Sequence, residues 1–252
     1  MIDEVFDRLV DQAWPAIQRV DAGGWTLRAA GGVTKRANSV LPLGEPEDLQ
    51  TGIERAEKFY ADRGLPCVFS VGGGATPGLD ASLRARGYRV VDPTLIMTAR
   101  LAPGDGPSEE PGGPGEAGEP EETGEEVELA EAPSQAWLDA WWSVDGRFGG
   151  DGLATAARIL TGVPAVYASL GREAVGRGVV QGEWFGIYSM AVLPHARRRG
   201  HGRKMLRALL SHARAQGTHR AYLVAVESNT AARALYERQG FTVAGRYHYR
   251  VR

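Results

Sequence analysis

A run of arginines and glycines, Arg197-Arg198-Arg199-Gly200-His201-Gly202-Arg203, precedes Met205, Leu206, Leu209 and Leu210, which recur at helical spacing. A helix start leaves backbone N–H groups without intrahelical acceptors and carries the positive end of the helix dipole. Glycine there lets an anionic group approach the backbone closely. The arginines add mobile positive charge, and no Asp or Glu occurs from Gly186 to Val226. The chemistry implied is diphosphate binding. An arginine cluster alone equally fits a solvated basic face or a helix contacting nucleic-acid phosphates. The two glycines decide against both: they weaken the helix, and close approach of an anion gives them a reason to be there. A nucleic-acid partner is not expected.

Before the loop runs an apolar strand, Met190-Ala191-Val192-Leu193-Pro194. After its helix come a second apolar strand (221–226) and then Asn229, Ala232, Leu235, Tyr236 and Gly240-Phe241. Strand, glycine loop, helix, strand, helix is an α/β order. These residues resemble the GCN5-related N-acetyltransferase (GNAT) family. Its signature Gln/Arg-x-x-Gly-x-Gly/Ala is met by Arg197, Gly200 and Gly202, and the run from Asn229 to Phe241 follows at the family's distance. The close match covers roughly Val127 to Arg252. The resemblance implies acetyl-CoA, or another acyl-CoA, as co-substrate. It implies that Arg197, Arg198, Arg199, Gly200, His201, Gly202 and Arg203 hold the pyrophosphate. Met190, Ala191 and Val192 would pair with the pantetheine arm, and Asn229, Ala232 and Tyr236 would line the donor site.

The resemblance also gives Tyr236 the role of general acid, protonating the leaving thiolate. A phenol of pKa ~10 can protonate a thiolate whose thiol has pKa ~8.5 when both are held in a desolvated site. By spacing alone Tyr236 fits a packed helix face equally well. A general base is not legible. Glu183, at the start of the strand before the loop, and Glu227, just after the following strand, are the nearest carboxylates. Both also fit exposed loop-end charges. Val224 and Val226 stand where the family often carries a Glu or Gln. The acceptor implied is a primary amine, on a small molecule or a peptide. A non-catalytic acyl-CoA-binding module is the alternative use of the same loop.

The elements that must position these residues span 252 residues, enough for one large or two small domains. The single cysteine, Cys67, excludes an intrachain disulfide and suits a reducing, cytoplasmic setting; it reads as a small buried hydrophobe rather than a nucleophile. No apolar run reaches membrane-spanning length, and the N-terminus is acidic, so no membrane partner is expected. The five histidines, His195, His201, His212, His219 and His248, show no metal-ligand spacing, and no metal is expected. His248, flanked by Tyr247 and Tyr249, reads as a strand-surface residue or part of an acceptor pocket. Trp137, Trp141 and Trp142 read as core, with room for one to face that pocket. Oligomeric state stays open.

Residues 1–24 read as a helix and turn, Trp25–Ala30 and Val33–Leu41 as strands, 47–63 as a helix and Pro66–Val71 as a strand. A short helix with Leu79 and Leu83, then Gly87-Tyr88, lead to two strands ending near Arg100. Aligning Gly87-Tyr88 with Gly240-Phe241 gives an offset that lays the 47–63 helix on 200–215 and Val68 onward on Ala221 onward. Pro103–Glu126 carries nine acidic residues, no Lys or Arg, and no large apolar side chain. It cannot offset its ordering entropy by burial and reads as a flexible acidic linker. The fold class expected is α/β, with two GNAT-like mixed-sheet units flanked by helices. Residues 1–102 would be a degenerate copy, 103–126 the linker, and 127–252 the acetyltransferase unit with the intact acyl-CoA site.

Overall fold

The computed structural model describes residues 2–101, 126–145 and 152–252. The chain order is α1 (Ile2–Ala13), β1 (Gln18–Asp21), β2 (Thr26–Ala29), β3 (Val40–Leu41), α2 (Leu49–Ala61), β4 (Val68–Val71), α3 (Leu79–Ala85) and β5 (Arg89–Arg100). It continues with β6 (Glu128–Ala130), α4 (Gln135–Asp145), α5 (Gly152–Leu160), β7 (Val166–Leu170), β8 (Ala174–Gln181) and β9 (Trp184–Val192). Last come α6 (His201–Ala215), β10 (Arg220–Val226), α7 (Thr230–Arg238) and β11 (Thr242–Val251). Residues 103–125 of the expected linker lie outside the described residues. Among the described residues no helix is long and apolar enough to cross a membrane.

The strands form one mixed sheet in the order β1-β2-β3-β4-β11-β5-β10-β9-β8-β7-β6. Among the described residues only β3–β4 and β9–β10 pair in parallel. The C-terminal strand β11 enters between β4 and β5, strands of the first half, and β5 pairs in turn with β10. Each half thus completes the other's sheet. The first helix crosses over as well: the Arg177 guanidinium of β8 donates to the Ala13 carbonyl at 2.9 Å, and the Gln181 amide donates to the Leu9 carbonyl at 2.9 Å. Phe6 meets Trp184 edge-on, with ring centres 5.2 Å apart. One apolar cluster accordingly joins Phe6 and Trp14 to Trp141, Tyr188, Tyr222 and Tyr247.

Local chemistry fixes the helices. Met205, Leu206, Leu209, Leu210 and Ala213 of α6 are all buried, the apolar stripe of an amphipathic helix lying on the sheet. Helix α7 ends in a Schellman motif: Gly240 takes φ 83, its N–H reaches the Glu237 carbonyl, and the Phe241 N–H reaches the Tyr236 carbonyl. Gly87 and Tyr88 close α3 in the same way on Arg84 and Leu83.

Three expectations from sequence are corrected. Val33 to Ser39 is not strand; only Val40–Leu41 is. The Asn38 side chain replaces a strand partner there, accepting from the Ala30 and Gly32 amides and donating to the Val33 and Thr34 carbonyls. The resulting loop carries Lys35 and Arg36. The two strands expected before Arg100 are one strand, β5, with an irregularity at Asp92-Pro93, where the proline sits at a shift of register. A further strand, β1, exposed along its whole length, forms within the expected turn.

Candidate active site

The parallel pairing of β9 with β10 runs from Trp184↔Arg220 to Ile187↔Leu223 and stops there, although β9 continues to Val192 and β10 to Val226. The cause lies in β9. Its register against β8 shifts between Tyr188 and Ala191, and Ser189 takes φ 53. A bulge of this kind bends its strand. The two strands part, and a crevice of about 240 Å³ opens between them. Binding sites of α/β sheets favour such a divergence at the carboxyl ends of parallel strands. Met190, Asn229, Ala232 and Tyr236 line this crevice, together with Trp141 and Trp142. Trp137 instead belongs to the core, donating its indole N–H to the Ala168 carbonyl.

The arginine–glycine loop follows β9 and is not part of the crevice lining. Gly200 is the N-cap of α6 in the left-handed region, φ 79, with nothing within 4 Å of the place a Cβ would take. The helix start has no side-chain cap and no acid in its first turn. Gly202 lies against α7: a Cβ there would come within 3.2 Å of Leu235 Cδ2. Arg197 is turned onto the loop's own backbone, its Nε donating to the Val192 carbonyl at 3.1 Å. Ala191 is buried in the core. His201 does not face outward. It is buried, with Nε2 at 3.1 Å from Glu173 Oε2, while His195 stands 3.5 Å from the other oxygen of Glu173. Glu173 also accepts the Leu193 N–H on its carbonyl. An acid-free stretch of sequence is therefore not acid-free in space, because the turn between β7 and β8 brings Glu173 to the loop. An uncapped helix start with an open Gly200 fits a diphosphate. Arg198 and Arg199 belong to the same loop and Arg203 to the first turn of α6; Arg198 adopts φ 68.

Tyr236 is nearly buried, and burial pushes its phenol up to about 12. Among the described residues no protein group hydrogen-bonds its hydroxyl, though its ring packs on Phe241. Asn229 caps α7, its Oδ1 accepting from the Ala232 N–H at 3.1 Å. Neither expected base reaches the crevice. Glu183 lies at the far end of β9, exposed, 3.6 Å from Arg220. Glu227 follows β10 and faces Arg246 at 3.7 Å. The carboxylate that does line the crevice is Asp92, held 2.8 Å from Lys35 Nζ. His248 points away from the crevice, 2.8 Å from Asp80, while its neighbours Tyr247 and Tyr249 line it, as alternation along a strand requires.

From sequence, the first half is expected to help form or cover the acceptor side, but the residues that do so were not identified: Trp14, Thr34, Lys35, Arg36, Asp92 and Thr94 all line the crevice. The signals were a charged pair, Lys35-Arg36, inside an expected strand, and a proline inside another. Cys67 is partly buried with its thiol pushed up to about 12 by burial, which leaves it inert at neutral pH. Among the described residues no three His, Cys, Asp or Glu side chains converge as metal ligands.

Comparison with known proteins adds the family. A relative from Bacillus subtilis (strain 168), the uncharacterized N-acetyltransferase YobR, is 29% identical over 252 residues, 98% of this chain and 97% of that protein. Among solved structures, a GCN5-related N-acetyltransferase from Kribbella flavida superposes with TM-score 0.64 at 15% identity, over 97% of this chain and 94% of the other. A tandem GNAT protein from the clavulanic acid biosynthesis pathway superposes with TM-score 0.60 at 14% identity, over 98% and 86%. The family model described as "Probable histone acetyltransferase Rv0428c C-terminal" matches residues 7–250. The chain belongs to that family, and it is an acetyltransferase of the GNAT type.

Proposed function

We propose that the chain moves an acetyl group from acetyl-CoA to a primary amine by direct attack of the amine nitrogen, with no covalent enzyme intermediate. One observation carries this reading: an uncapped helix start with an open Gly200 packs on α7, whose buried Tyr236 lines the crevice with, among the described residues, no hydrogen-bond partner for its hydroxyl. Bound acetyl-CoA would supply an acyl carbon activated as a thioester. The first-turn N–H groups of α6 and the loop arginines hold the diphosphate. The edge of β9 beyond Ile187, no longer paired with β10, takes the pantetheine arm. Tyr236 keeps its proton up to about pH 12 and offers it to the sulfur as the C–S bond breaks. Asp92, directly or through water, takes the proton that leaves the amine.

We further assign residues 127–252 as the unit with the donor site and 1–102 as a repeat that has lost it, joined by 103–126. The support is local. The helix equivalent to α6 in the first half is α2, whose start is capped by its own carboxylate: Asp48 accepts from the Thr51 N–H at 2.7 Å. An anion already occupies the place a diphosphate would need. The matched Gly-aromatic helix endings at 87–88 and 240–241 and the two parallel pairs, β3–β4 and β9–β10, fit the same repeat.

The test is turnover of acetyl-CoA by the full chain against a panel of primary amines. CoA thiol and N-acetylated amine appearing in equal amounts is the expected result. Acetyl-CoA binding with no turnover across the panel would overturn it in favour of a non-catalytic acyl-CoA-binding module.

A further inference from the structure

The charged side chains that line the crevice are Lys35, Arg36 and Asp92. Lys35 and Asp92 neutralise each other at 2.8 Å. Arg36 is left over: among the described residues no carboxylate pairs with it. Its Nε is shielded from solvent and has no hydrogen-bond partner. The guanidinium stacks 5.0 Å from the Trp14 ring centre and 5.7 Å from that of Tyr188, and an arginine stays cationic even when buried. Two further buried donors on the same crevice also lack partners, the Ser189 hydroxyl and the Trp141 indole N–H. Buried donors without acceptors are costly, and a buried charge without a counter-charge more so. A crevice lined by one unmatched cation and two unmatched donors is complementary to an oxyanion.

We propose that the acceptor amine carries a carboxylate, as an amino acid does, and that Arg36 binds this carboxylate while the amine end faces Asp92. The proposal rests on the acetyl-transfer reading above and narrows its acceptor class. Arg36 is therefore a specificity-determining residue, supplied by the first half of the chain to a reaction run on the second. A lysine side chain within a protein presents an amine with no neighbouring anion and would leave Arg36 unmatched. Arginine suits the task because its planar fork meets a carboxylate through two parallel hydrogen bonds.

The experiment uses the full chain with acetyl-CoA, and matched acceptors: free amino acids, the amines formed by their decarboxylation, and a lysine peptide with both ends blocked. Turnover is followed together with calorimetric binding of each acceptor to the CoA-loaded protein. The carboxylate-bearing member of the best pair should have a kcat/KM at least about tenfold higher. Arg36→Met should erase that preference, mainly by raising KM for the acceptor, and Arg36→Lys should restore part of it. Acetyl-CoA affinity should stay the same in both variants. Equal use of an amino acid and its decarboxylated amine by the wild-type protein, or preference for the lysine peptide, would overturn the proposal, and neither result depends on a variant folding. Arg36-dependent binding of amino acids without any turnover would instead uphold the carboxylate site and overturn acetyl transfer.

Discussion

Replacing Tyr236 with phenylalanine removes one hydroxyl from the crevice and little else. The hydroxyl has no protein partner among the described residues, and the ring keeps its packing on Phe241, so thermal stability should hardly change. The catalytic effect follows from the phenol's environment. Burial holds its pKa at about 12, above the ~8.5 of a free thiol. Full proton transfer ahead of C–S cleavage is therefore uphill. The hydroxyl acts chiefly by hydrogen-bonding charge as it forms on sulfur. A hydrogen bond to a charged partner contributes about 1.5–3 kcal/mol, which corresponds to roughly a 10- to 150-fold loss of kcat. The interaction exists only in the transition state, so KM for acetyl-CoA should stay within about twofold. Because the folded pKa is raised, the stability tied to the neutral phenol is complete below pH ~10 and is lost only as pH rises through about 12. Any alkaline limb of the rate below pH ~11 must then belong to another group and persist in Tyr236→Phe. Steady-state release of CoA thiol measures all of this. An unchanged kcat, or a KM that rises in step with the loss, would refute the proton-donor role and leave Tyr236 as packing.

Gly202→Glu places a Cβ against Leu235 and a negative charge at the start of α6; calorimetry should show acetyl-CoA affinity reduced at least about tenfold while circular dichroism is retained, and unchanged affinity would contradict the loop's role. Asp92→Asn should lower kcat by about a hundredfold, whereas Glu183→Gln and Glu227→Gln should stay within about twofold of wild type in the same assay. Asp80 ties α3 to β11 through both nitrogens of the Arg250 fork and through His248, all at 2.8 Å, and the Arg250 bonds foremost hold its carboxyl down at about 2. Its contribution is present above the ordinary value of 3.8 and is lost as pH falls through about 2. Asp80→Asn should thus lower Tm by roughly 2–4 °C at neutral pH, since the pair is partly exposed. The difference from wild type should close near pH 2; a difference that persists there would show that Asp80 acts by packing.

The helix start and capped helix proposed to hold the donor were legible because their pattern is local in sequence. Gly200, Gly202 and the α6 stripe are one helix start, and Asn229 to Phe241 is one capped helix with its Schellman ending. The residues proposed to face the acceptor were not, although the first half was expected to help form that side, because they are brought together by pairing between distant strands. Nothing in the pattern of β11 says that it enters between β4 and β5, yet that insertion is what brings Tyr247 and Tyr249 beside Arg36. Val33 to Leu41 follows the Gly31-Gly32 turn after a strand and so reads as its hairpin partner. Asn38, a poor strand residue whose amide can satisfy four backbone groups, was the local sign that it is a loop. Glu173 lies well before the arginine loop in sequence and reaches it only through the β7–β8 turn. The repeat suggested by the Gly-aromatic offset fits the local motifs. The exchange of β5 and β11 across the sheet also means that a fragment beginning at Val127 would lose the partner strand of β10 and the helix α1 that covers β8. Tests of the two units therefore belong on the full chain.

Hydrogen exchange of the full chain, with and without saturating acetyl-CoA, tests most directly where the donor sits. Slower exchange should appear over 188–206, covering the β9 bulge and the start of α6, and over 229–236 in α7, at a calorimetric stoichiometry of one per chain. The start of α2 around Asp48, already capped, should not change. Protection at 45–52 in place of 188–206, or two acetyl-CoA molecules per chain, would contradict a single donor site at the divergence of β9 and β10.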